Sequence, residues 1–144
     1  MSVPPQTFVP TLIAIQFVAF GWRLNREIAK GDNGNITWLP LPDYLNLVSL
    51  LAVIFCCLAA PVVLGDFGRT AKTTLTAAYV LIAFHPVSAA AHYRLLFSKK
   101  GRTICSEMNR DIPWITDQEI FTVMVSVIFA VIVGCVTWHA VGVR

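Results

Sequence analysis

Long apolar runs alternate along the chain with short polar clusters, and four of the runs approach bilayer length: residues 8–24, 43–64, 71–97 and 117–143. A helix rises about 1.5 Å per residue, so a hydrocarbon core of about 30 Å takes roughly 20 apolar residues. The first run is the shortest. It closes on Trp22, a residue suited to headgroup depth, and on Arg23, whose long stem suits snorkelling outward. Its helix is expected to continue past the bilayer until Gly31-Asp32-Asn33-Gly34 breaks it. The second run opens on Leu39-Pro40-Leu41-Pro42-Asp43, where proline in a first turn costs little, and ends at Gly65-Asp66-Phe67-Gly68. His85-Pro86 interrupts the third near its middle. The fourth starts at Thr116, with Glu119 at capping-box spacing, and its core over residues 121–136 carries no charge.

The pattern predicts an all-α integral membrane protein: a four-transmembrane-helix bundle with short loops, forming one transmembrane domain over residues 1–144. A three-helix alternative lays the first segment in the interface, on account of Pro10 and an exposed Gln16. Composition agrees with a membrane setting. Of 144 residues, 56% are hydrophobic and 13% charged, against about a quarter charged in soluble domains. No basic residue precedes the first apolar run, as a cleaved signal peptide would require, so a retained helix is expected.

Charge then orients the chain. The first and third connections with their flanks hold Arg23, Arg26, Lys30, Arg94, Lys99, Lys100, Arg102 and Arg110. Only Arg69, Lys72 and Arg144 fall on the other side, so the positive-inside rule places connections one and three in the cytoplasm and both termini outside. A bacterial inner membrane is the expected location, with an organellar inner membrane as the alternative.

Three constellations carry possible chemistry. The histidines His85, His92 and His139 invite a haem reading, but His85 and His139 fall roughly 15 Å apart along the membrane normal, too far for one iron. His85 and His92 share a helix face about 10 Å apart, too far for one metal ion, so no metal or cofactor is expected. His85 is the stronger candidate by itself, because an ionisable group at mid-membrane depth belongs in a protein interior or a watery path. Pro86 beside it removes an amide donor and frees the Ile82 carbonyl. With Gln16 and Ser88, these residues are the candidate ion path; Ser49 or Gln16 is the expected partner if His85 serves packing alone.

The second constellation is small residues that admit close helix approach: Ala77 on the third helix, Ala130 and Gly134 on the fourth. These suggest a homo-oligomer. The third is the basic run Lys99, Lys100, Arg102 and Arg110, which suits anionic headgroups of the lipid bilayer or an anionic ligand such as a nucleotide or nucleic acid. A short surface helix over residues 103–110, anchored by Trp114, is expected there. Cys56, Cys57, Cys105 and Cys135 form no metal or disulfide spacing and suit helix packing.

No enzyme motif is present. Acids within or beside the spans occur only at helix ends (Asp43, Asp66, Asp117, Glu119), which speaks against proton-coupled transport. The expected function is ion passage or membrane permeabilisation by a self-assembled bundle, controlled from its basic connections. A structural or anchoring subunit of a larger membrane complex is the alternative, and a haem or quinone redox subunit a more distant one. The charge count makes a direct prediction: labels on Ser2 and Arg144 react from outside sealed cells and Lys100 only after permeabilisation. Labels on Ser2 and Arg144 that react from opposite faces would exclude four spans.

Overall fold

The computed structural model describes residues 4–32, 39–93, 96 and 115–142, and all of its regular structure is helical. Four helices are long and apolar enough to cross a bilayer. Helix α1 (Val9–Asp32) follows a short 3-10 turn at Pro5–Phe8; α2 is Leu41–Leu64, α3 is Arg69–His92 and α4 is Asp117–Gly142. This is a four-helix, multi-pass membrane protein. The first helix is among the four long and apolar enough to cross, and its buried positions Val9, Leu12 and Gln16 form a stripe packed along α2.

Each boundary has a local cause. Pro10 sits in the first turn of α1, directly after the 3-10 turn whose last bond runs from the Val9 N–H to Gln6 O. In α2, Pro61 cannot donate to the carbonyl four residues back. The helix widens over Ile54–Ala59 into a π turn, with the Ala60 N–H reaching Phe55 O, and resumes its α form. Gly65 stops α2 at φ 71°, a left-handed conformation that glycine adopts without strain, and its N–H bonds Pro61 O at 2.8 Å. The third helix ends at His92, earlier than its apolar run suggests, with Tyr93 at φ −88°, ψ 8°. At that end the Thr116 hydroxyl donates to Ala91 O at 2.9 Å, satisfying a terminal carbonyl of α3.

Packing is most extensive between α3 and α4, then between α2 and α3, while α1 lies mainly on α2. Large apolar side chains such as Phe17, Val18, Phe55, Val62, Phe121 and Ile132 point outward, where lipid solvates them. The interior divides by depth. Toward the end bearing the two chain termini it is apolar, with Val9, Leu12, Val53, Cys57, Ala71, Leu75 and Ala78 in one cluster. Toward the basic end, where α1 joins α2 and α3 joins α4, it is polar, with Gln16, Arg23, Asp43, Asn46, Ser49, His85, Ser88, His92 and Glu119 all buried.

Small residues make the α3–α4 contact close. Ala130 and Gly134 are buried, and a Cβ on Gly134 would stand 3.5 Å from Thr73 Cγ2 and 4.0 Å from Ala77 Cβ. The Thr76 and Thr137 hydroxyls meet across the same seam at 3.1 Å. Gly134→Leu therefore forces a branched side chain between helices of one chain. Its expected effect is a loss of about 1–3 kcal/mol in stability, read as a lower melting midpoint in detergent, with Ala140→Leu on the exposed face as a neutral control.

Candidate functional site

The polar end of the interior is a set of paired charges. Asp43 lies in the first turn of α2 and is 0% exposed. Its Oδ2 accepts from Arg23 Nε of α1 at 2.9 Å, and its Oδ1 lies 2.8 Å from His85 Nε2 of α3. One carboxylate thus joins three helices. Arg23 is 1% exposed and turns inward. Its Nη1 donates to the Tyr93 hydroxyl at 2.6 Å, and Glu27 stands 3.6 Å from its Nη2. Arg26 also bonds the Tyr93 hydroxyl, and both guanidinium groups lie over the Tyr93 ring.

A second carboxylate stands beside the first. Glu119, in the first turn of α4, is also 0% exposed. Its Oε2 lies 2.8 Å from His92 Nδ1 of α3, and its Oε1 accepts from the Leu41 N–H of α2 at 2.6 Å. Pro40 offers α2 no side-chain cap, so a residue of another helix caps it. The expected capping box also forms: the Glu119 N–H donates to Thr116 Oγ1 at 3.1 Å, and the Thr116 N–H reaches Glu119 Oε2 at 3.4 Å. Both acids sit at the α2 N-terminus, where the helix dipole favours negative charge.

One layer toward the bilayer centre, Gln16 Nε2 donates to Ser49 Oγ at 3.0 Å and Asn46 Nδ2 to Gln16 O at 3.2 Å. Gln16 Oε1, Asn46 Oδ1 and Ser88 Oγ are buried with no hydrogen-bond partner among the described residues.

These positions revise four expectations. His85 bonds Asp43, while Gln16 and Ser49 bond each other. Gln16 is buried, not exposed, because it lies on the stripe of Leu12. Arg23 belongs to the interior, since it follows Gln16 by seven residues and shares its face. Pro86 is exposed on the outside of α3, as its neighbour His85 faces in and successive helical residues diverge by about 100°. His139 is exposed near the opposite end of the bundle, well away from the other two histidines. Among the described residues no group of three or more His, Cys, Asp or Glu is placed to hold a metal. Lys99, Lys100, Arg102, Arg110, Trp114 and the expected helix over 103–110 lie outside the described residues.

The residues missed by sequence reasoning are Asp43, Glu119 and Arg23. Helix-end position made the acids look interfacial, yet each falls on the buried stripe of its helix: Asp43 with Asn46, Leu50 and Val53, and Glu119 with Thr122 and Ser126. That register was the available signal. No protein family, curated protein or solved structure matches the chain.

A buried ion pair that loses one partner strands the other charge in an apolar medium. Arg23→Met should cost about 3–5 kcal/mol by exposing Asp43 to that penalty, measured by thermal unfolding in mild detergent. The double variant Arg23→Met with Asp43→Leu should recover most of the loss. A single variant as stable as the parent would mean that the pair is solvated.

Proposed function

We propose that this protein moves ions, protons foremost, through the bundle, with the Asp43–His85 and Glu119–His92 pairs as the membrane-embedded acid–base site. One observation carries the reading: two carboxylates are fully buried inside a membrane-spanning bundle and each is hydrogen-bonded to an imidazole. Ionisable groups inside a bilayer are costly, and they recur where protons or ions are handled. Histidine suits that role because its charge changes nearest neutral pH.

The positive-inside count supports a cytoplasmic opening for this site. The apolar cluster from Val9 to Ala78 then closes the opposite half, so passage requires that half to open or a path to form between self-associated copies. The sequence's basic connections are where an anionic ligand would control it.

A second reading has its own support. Asp43 links α1, α2 and α3, and Glu119 links α2, α3 and α4, so the same groups fix the register of all four helices. An anchoring subunit of a larger complex needs no more than that.

Flux separates the two. In proteoliposomes carrying a pH-sensitive dye, the parent protein should dissipate an imposed pH gradient, and Asp43→Asn or Glu119→Gln should slow this at least tenfold. Native size in mild detergent, measured alongside, should give a defined homo-oligomer. Parent liposomes as tight as protein-free ones, with unrelated chains co-purifying, would favour the anchoring subunit.

A further inference from the structure

We infer that Ser88 is the hydroxyl link of a two-stage proton relay along α3, running from the Glu119–His92 pair to the His85–Asp43 pair. The inference rests on the proton-handling reading above and names its internal route.

Placement is the first argument. His85, Ser88 and His92 lie at i, i+3 and i+7 on one face of α3, and all three are buried. Along the axis Ser88 stands about 4.5 Å from His85 and about 6 Å from His92. The two imidazoles are separated by the sum of these and cannot exchange a proton directly. Ser88 is the polar side chain between them on that face.

The hydroxyl's own bonding is the second. A helical serine or threonine in an apolar setting commonly returns its proton to a carbonyl one turn back. Thr122 does so to Gln118 O, Ser126 to Val123 O and Thr137 to Val133 O. Ser88, only 2% exposed, makes no such bond, and its Oγ has no partner among the described residues. A buried hydroxyl left unpaired costs free energy and calls for a polar occupant beside it. A water on each side of Ser88 is the occupant that the relay requires.

The transfer balances without any other reactant. The Glu119–His92 pair takes a proton at the basic end, and His92 releases it through a water to Ser88 Oγ. One O–H bond forms at Ser88 as its original O–H proton leaves through the second water to His85. The serine is unchanged, and the proton ends shared between His85 and Asp43. The charged groups around the route are Arg23 on Asp43, Glu27 on Arg23, and Arg26 with Tyr93, whose ring meets His92 edge-on at 4.9 Å. Arg23 Nε lies 2.9 Å from Asp43 Oδ2 at the inner end of the route. Beyond His85 the polar layer of Gln16, Asn46 and Ser49 is the last before the apolar cluster.

Time-resolved infrared spectroscopy of the protein in nanodiscs tests the relay without relying on flux. Asp43→Asn and Glu119→Gln assign the two carboxyl bands. After a rapid pH drop, the Glu119 band should respond first and the Asp43 band second. In Ser88→Ala the Glu119 response should keep its rate while the Asp43 response slows at least tenfold. Ser88→Thr, which restores a hydroxyl, should return it to near the parental rate. An Asp43 response in Ser88→Ala as fast as the parent's overturns the relay, as does the absence of any pH-driven change in either band. Dissipation of a pH gradient, recorded on the same proteins, distinguishes the two levels. Parental flux kept in Ser88→Ala removes this route and spares the function; no flux in the parent, with Ser88-dependent bands, keeps the relay and removes transmembrane passage.

Discussion

The carboxylate of Asp43 is the constraint around which the bundle is organised. A lone charge in this interior would be untenable, and its two oxygens are satisfied from two different helices, Arg23 of α1 and His85 of α3. Such a bond is directional and fixes both the rotation and the axial register of the helices that supply it. Apolar contacts in a bilayer cannot do this, since lipid tails solvate a leucine as well as another leucine does. The charged knot therefore supplies specificity where the membrane removes most of the hydrophobic driving force.

Glu119 extends the same logic to α4. Its carboxylate caps the start of α2 and meets His92 near the end of α3, while Thr116 beside it closes α3 through Ala91 O. Helix termini leave backbone groups that water cannot easily reach at this depth. Here the Leu41 N–H and the Ala91 carbonyl are each satisfied by a side chain from another part of the chain, which ties local capping to tertiary assembly. Ends that would fray alone are held by the helices they adjoin.

The interior is divided along the bundle axis. On the basic side the core holds charge, amides and hydroxyls; on the other it holds valine, leucine and alanine with small-residue contacts at Ala130 and Gly134. Charged side chains gather in the basic half, while the polar contacts of the other half are threonine hydroxyls such as Thr76 and Thr137 at the α3–α4 seam.

The sequence by itself determined the four spans, the turn at Gly65 and the capping box of Thr116 and Glu119, because these depend on run length, backbone preference and spacing within one segment. It also marked His85 as an interior group. Which way the remaining charges faced was settled only by tertiary structure. Arg23 at a helix end reads as a snorkelling residue until Asp43 and Tyr93 are seen to surround it. Asp43 reads as an interfacial acid until α1 and α3 close over it, and Glu119 until α2 and α3 do. Pairing of this kind joins residues 20 to 42 positions apart on different helices, and no local pattern encodes a partner at that distance. Helix phase comes nearest, since Gln16 and Arg23, like His85 and His92, repeat at seven residues on one face. Phase says which residues face inward; only the packing of the four helices decides what each of them meets.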